Sequence, residues 1–246
     1  MSVKDKVVVV TGGSRGLGKA MVRAFAAEGA HVVVASRKLD NCTTLADEIS
    51  AEFGVDALPV ACNVSSWAQC DELVQRVHEA FGRADVLINN AGLSPLYPSL
   101  DQVSEALFDK VIGVNLKGPF RLCATFGTRM AAGEGGSIIN ISSVEAIRPR
   151  THALPYAAAK AGLNNLTEGL AQALGPKVRV NAIQCGPFLT DIAASWDPQR
   201  RAEFEADLAL RRCGEPEEVI GAAMFFATDK SSYATGAILR LDGGRP

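Results

Sequence analysis

The 246 residues, 48% hydrophobic and 21% charged, describe a folded globular chain large enough to bury a core without metal or disulfide staples. Lysine and arginine number 25 against 27 acidic residues, and a net charge of −2 supplies no basic field to hold nucleic acid. Six cysteines, at 42, 62, 70, 123, 185 and 213, form no Cys-x-x-Cys pair and have no histidine at ligand spacing, which argues for reduced thiols and against a metal site.

The first apolar run, Val7 to Val10, is too short for a signal peptide or a membrane span, so a cytoplasmic protein with no membrane partner is expected. It opens a strand over Val7 to Thr11 that runs into Thr11-Gly12-Gly13-Ser14-Arg15-Gly16-Leu17-Gly18 and a helix near 16 to 28. Glycines in a strand-to-helix turn let the backbone approach a phosphate at the helix N-terminus. Gly12, Ser14, Arg15, Gly16, Leu17 and Gly18 are therefore expected at a cofactor, in a Gly-x-x-x-Gly-x-Gly spacing.

The second strand, His31 to Ser36, is followed by Arg37 and Lys38, where an acid would hold an adenosine ribose and repel a 2′-phosphate. A hydroxyl at Ser36 and cations at Arg37, Lys38 and Arg15 would hold that phosphate instead. NADP(H) is favoured, with NAD(H) possible; the alternative is that Arg37 and Lys38 are solvated charges after a strand.

Further strands are predicted over Ala57 to Ala61, Asp85 to Asn89, Ser137 to Ser142, Val178 to Ile183 and Ala237 to Leu241. Helices fall near 41 to 53, 67 to 81, 103 to 131, 155 to 174 and 216 to 228. The strands are mostly continuous apolar runs, as strands covered on both faces must be, so a doubly wound α/β fold with a seven-stranded parallel sheet and helices on both faces is expected. No linker or repeat divides it, and residues 1–246 are read as one dinucleotide-binding domain.

The stretch 186–213, with Pro187, Trp196 and Pro198, fits the alternation poorly and is expected as an insertion over one sheet edge. Within it, 188–212 is expected to form a mobile substrate lid, because apolar residues such as Ile192, Trp196, Phe204 and Leu208 alternate with many charges. Helices 103 to 131 and 155 to 174 are apolar on more than one face, which predicts a homotetramer or homodimer.

Ser142 and Ser143 follow the fifth strand, and Pro155-Tyr156-Ala157-Ala158-Ala159-Lys160 opens the next helix. Tyr156 and Lys160 are four residues apart, so both leave one helix face. A tyrosine with a reference pKa of about 10 is a poor base at neutral pH. A neighbouring ammonium is expected to favour its phenolate.

Together these motifs resemble the short-chain dehydrogenase/reductase family, in its single-domain, 3-oxoacyl reductase-like type, from Lys6 to Gly244. Asn89-Asn90-Ala91-Gly92 is similar to the family's sheet-stabilising motif, and Asn115, Ser143, Tyr156 and Lys160 to its catalytic tetrad. The resemblance implies a Rossmann-type fold and NADP(H)-dependent hydride transfer to or from a small-molecule carbonyl or alcohol. In that scheme Tyr156 moves the proton, Ser143 places the substrate oxygen, Lys160 binds the nicotinamide ribose, and Asn115 anchors a water that feeds Lys160. It also implies adenine contacts at Asn63 and Val64, a cofactor wall at Asn90, Ala91 and Gly92, and nicotinamide contacts at Gly186, Phe188 and Thr190.

Three places depart from the family pattern. Cys185 replaces a proline and is either a packed residue or a thiol near the nicotinamide; Asn63 replaces an aspartate near the adenine. Glu145, Arg148, Arg150 and His152 stand where small or apolar residues are usual, either to bind a polar or anionic substrate or as a solvated loop. An enoyl reductase, or a dinucleotide-sensing regulator without turnover, remain as alternatives.

Overall fold

The computed structural model describes residues 2–191 and 198–245. All seven strands are parallel and lie in one sheet: β1 (Val7–Thr11), β2 (His31–Ser36), β3 (Ala57–Ala61), β4 (Val86–Asn89), β5 (Gly136–Ser143), β6 (Val178–Cys185) and β7 (Ile238–Leu241). The spatial order is β3-β2-β1-β4-β5-β6-β7. The chain winds outward in one direction from β1 and in the other from β4, so a crevice opens at the carboxyl ends where the order reverses.

Successive side chains of a strand point to opposite faces, and here both faces are apolar. Val8 and Val10 of β1 enter one core with Met21 and Phe25 of helix α1 (Gly16–Ala27) and Phe226 of α8 (Ile220–Ala227). Val7 and Val9 enter the other core with Leu73 and Val77 of α3 (Trp67–Phe81). Helix α2 (Leu39–Phe53) adds Leu45 and Ile49 to the first core and ends at Gly54, whose φ of 68° is a left-handed cap. Ser66 and Ser104 cap the helices that follow them, accepting from the backbone N–H groups of Gln69 and Leu107.

The single helix expected over 103 to 131 is instead α4 (Glu105–Ile112), a π turn (Gly113–Lys117) and α5 (Gly118–Ala132). Pro119 brings no N–H to the Asn115 carbonyl four residues earlier, so the α pattern cannot pass through it. Gly118 permits the close approach that follows, since a Cβ there would stand 2.3 Å from the Val64 carbonyl oxygen. Helix α6 (Leu154–Leu174) then packs beside β5 and β6 and carries the tyrosine and lysine.

After β6, Phe188 bridges to Gly214, and the Leu189 N–H donates to the Gly214 carbonyl at 2.8 Å. Helix α7 (Pro198–Asp207) follows, and the Leu210 N–H donates to the Gly243 carbonyl at 3.0 Å. The stretch thus lies over the carboxyl ends of β6 and β7, with Leu208 buried near Gly243. Residues 192–197, which carry Ile192 and Trp196 of the expected lid, lie outside the described residues.

Candidate active site

A cleft of about 1250 Å³ opens at the carboxyl ends of the strands. The glycine turn forms one wall. No side chain caps α1 and no acid stands in its first turn, so its N–H groups are available to an anion. Gly16 has φ +52°, and a Cβ there would meet only Thr190 atoms, at 3.3 Å and beyond. This glycine and Thr190 therefore face each other across the turn.

Gly12, Ser14, Arg15, Gly16 and Leu17 line the cleft, but Gly18 does not. Its role is packing: a Cβ at Gly18 would lie 2.1 Å from the Gly12 carbonyl oxygen and 2.6 Å from Asn90 Nδ2. Asn90 holds the turn from the other side, donating through Nδ2 to the Thr11 and Gly12 carbonyls at 2.9 and 3.1 Å. Thr11 Oγ1, which the sequence reading did not single out, accepts from the backbone N–H groups of Asn90 and Ala91, each at 3.1 Å.

At one end of the cleft Ser14 Oγ donates to Ser36 Oγ at 3.0 Å, beside exposed Arg15, Arg37 and Lys38. Asn63, Val64, Ala91 and Gly92 also line it. The Asn63 carbonyl oxygen already accepts from Ser65 N–H and Ser65 Oγ at 3.2 and 2.9 Å. The side-chain Oδ1 is thus taken up by its own turn, and what the amide has left to offer a ligand is the Nδ2 donor.

At the other end stand Ser143, Tyr156, Lys160, Cys185, Gly186 and Phe188. Ser143 hydrogen-bonds Tyr156 and accepts from the Glu145 N–H at 3.2 Å. Lys160 is buried, donates to the Ile141 carbonyl at 2.7 Å, and sits with Nζ 5.7 Å from the Tyr156 ring centroid. Burial lowers the lysine to about 8. Burial also pushes the Tyr156 hydroxyl up to about 12, against a smaller opposing effect of Ser143. The sequence-based expectation that Lys160 would dominate and favour the phenolate is therefore corrected: desolvation wins, and Tyr156 is a phenol at neutral pH.

Asn115 is fully buried and does not line the cleft. Its Nδ2 donates to the carbonyls of Leu93 and Val111 at 2.8 and 3.0 Å, and its Oδ1 accepts the Leu93 N–H at 3.3 Å. It thereby fixes the strand-to-loop segment whose Gly92 and Leu93 line the cleft.

The family model for short chain dehydrogenase matches residues 6–201. The chain belongs to the short-chain dehydrogenase/reductase family. It is 39% identical over 252 residues to an L-rhamnose 1-dehydrogenase (NAD(P)(+)) of Azotobacter vinelandii, covering 99% of this chain and 98% of that one. To a 3-oxoacyl-acyl-carrier-protein reductase of Thermotoga maritima it is 37% identical over 246 residues, covering 99% of each. The L-sorbose reductase of Gluconobacter frateurii, solved in complex with NADPH and L-sorbose, superposes with a TM-score of 0.92 at 29% identity, covering 99% of this chain and 97% of that one.

The places where this short-chain dehydrogenase departs from its family pattern resolve differently. Cys185 is a buried thiol on the cleft wall, and burial pushes it up to about 12, so it is uncharged at neutral pH. All six cysteines are free and buried. The 145–152 charges were read as either substrate-binding or solvated, and for Glu145 neither holds. Its carboxylate is buried and lies 2.9 Å from Arg150 Nε and 3.5 Å from Arg245 Nη1. Tyr97, which drew no attention in the sequence, donates to the Thr151 carbonyl at 2.7 Å and accepts the Leu154 N–H at 3.0 Å, tying the 93–99 loop to the start of α6.

Among the described residues no helix is long and apolar enough to cross a membrane, and no cluster of His, Cys, Asp or Glu could hold a metal ion.

Proposed function

We propose that the protein is an NADP(H)-dependent oxidoreductase that interconverts a carbonyl and a secondary alcohol. The observation that carries this reading is one cleft with an uncapped helix N-terminus and exposed Arg15, Arg37 and Lys38 at one end, and the Ser143, Tyr156 and Lys160 group at the other. Among the described residues lining it the only acid is Asp191, so no carboxylate opposes a 2′-phosphate near Ser36. NAD(H) would use the same turn without drawing on Arg37.

When bound, the nicotinamide supplies or accepts the hydride. The chain's own groups handle the oxygen and the proton. The Ser143 hydroxyl, held by the Glu145 N–H, fixes the substrate oxygen beside Tyr156. Tyr156, a phenol at neutral pH, donates its proton as an alkoxide develops in reduction, and takes one back in oxidation. Lys160, anchored on the Ile141 carbonyl, has two remaining N–H donors for ribose hydroxyls and for reprotonating the tyrosine. The Asn115 backbone carbonyl, with Pro119 four residues on, is suited to hold a water on that route.

The relatives' names span sugars and 3-oxoacyl thioesters, so the test is NADPH and NADH consumption over sugar, 3-oxoacyl thioester, steroid and xenobiotic carbonyls. Turnover of none of them by a folded, cofactor-binding protein would favour the sensing alternative. We also infer a homodimer or homotetramer, supported by exposed Phe108 on α4 and Phe120 on α5, which leave apolar surface on those helices. Light scattering at micromolar concentration is expected to give twice or four times the chain mass, and a monomeric mass refutes it.

A further inference from the structure

The turn after β5 is held by a single buried acid. Glu145 follows Ser143 by two residues and donates its own N–H to the Ser143 hydroxyl at 3.2 Å. It does not line the cleft. Oε2 accepts the Arg150 N–H at 2.7 Å, while Oε1 pairs with the guanidinium groups of Arg150 at 2.9 Å and Arg245 at 3.5 Å. Arg245 is itself fixed: its carbonyl accepts from Arg148 at 3.2 Å and from Arg240 at 2.9 Å, and Arg240 pairs with Asp242 at 2.6 Å.

An acid removed from water keeps its charge when paired and hydrogen-bonded in this way, and its field then acts at low dielectric on whatever lies behind it. Glu145 holds Ser143 through its N–H, and its charge acts on the Tyr156 hydroxyl. We propose that Glu145 is a positioning residue through which the segment after β7, by way of Arg245, holds the Ser143 hydroxyl against Tyr156 and sets a buried negative charge near the proton they move.

The groups acting on the Tyr156 hydroxyl come from every element around it. Ser143 reaches it from β5, Cys185 from β6, Glu145 from the turn after β5, and Lys160 lies one turn along α6. Cys185 is uncharged at neutral pH, and Lys160 is partly discharged near its value of about 8. Glu145 opposes the phenolate. Arg150 and Arg245 partly offset it.

The inference rests on Tyr156 being the proton carrier, and the two fail separately. The experiment follows the rate of alcohol oxidation against pH in the holoenzyme, on the rising limb where the phenolate forms beside an oxidised nicotinamide, whose positive charge favours it and draws the limb below the value of the cofactor-free chain. Glu145→Gln keeps the side-chain size and an acceptor for the Arg150 N–H but removes the charge. Its limb is expected to move to lower pH by on the order of half to one pH unit, so that the rate at a fixed pH on the limb rises about three- to tenfold. Arg245→Ala leaves the acid less compensated and is expected to move the limb the other way. A merely structural role would lower the rate at every pH in both variants.

An unmoved limb in a Glu145→Gln protein that keeps its melting temperature and cofactor affinity overturns the proposal. So does movement in the same direction by both variants. Should Glu145→Gln fail to fold, Arg245→Ala carries the test alone, and an unmoved or lowered limb there is equally fatal. High turnover by Tyr156→Phe would instead remove the proton-carrier reading on which the inference stands.

Discussion

The two ends of the cleft use charge in opposite ways. At the end beside Ser14 and Ser36, Arg15, Arg37 and Lys38 are exposed cations. At the catalytic end Lys160, Glu145 and Cys185 are buried, and burial moves the lysine down to about 8 and the thiol up to about 12. Exposed cations attract a phosphate at a distance and are weakened by salt. Buried groups instead decide which atom carries a proton, and salt hardly reaches them. Affinity for one cofactor over another is thus expected to be salt-sensitive, whereas the chemical step is expected to be pH-sensitive.

That contrast is easiest to break at the catalytic end. Tyr156→Phe removes only the hydroxyl, so turnover should fall by about 10²–10⁴-fold, the usual contribution of a positioned acid, while cofactor affinity stays within a few-fold. Turnover and cofactor titration measured on the same protein check both halves. A smaller effect is expected at the other end. Arg37→Asp removes one solvent-screened, charge-assisted contact, about 1.5 kcal/mol or roughly tenfold in NADPH affinity, with little change for NADH. The difference should shrink as ionic strength rises, and an unchanged NADPH-to-NADH ratio would point to Arg15 in its place. Smallest of all is Ser36→Ala, which removes the neutral acceptor of the Ser14 hydroxyl and should cost NADPH about 1 kcal/mol or less without altering the salt dependence.

Legibility followed the same division. All seven strands lie within two residues of the limits expected from the chain, and most helix limits are as close, because strands covered on both faces are mostly continuous apolar runs. The glycine turn and the Tyr156 to Lys160 spacing were legible because each depends on neighbours within one turn or one helix. At Gly18 the need for glycine comes from the Gly12 carbonyl and the Asn90 side chain, which no spacing rule separates from a ligand. Tyr97 was not legible because an isolated hydroxyl carries no pattern until its partners, here Thr151 and Leu154, are folded against it.

The chain's local order was enough to establish the alternation of strand and helix, the parallel sheet, the anion-ready start of α1 and the pairing of a tyrosine with a lysine on one helix face. Each of these is a matter of periodicity or of steric freedom within a few residues. Packing alone decided that Glu145 turns inward to a guanidinium 100 residues further along, and that Tyr156 is pushed up rather than down. These outcomes depend on how much water is excluded and on which distant groups meet. Desolvation is a property of the assembled core, and no spacing along the chain carries it.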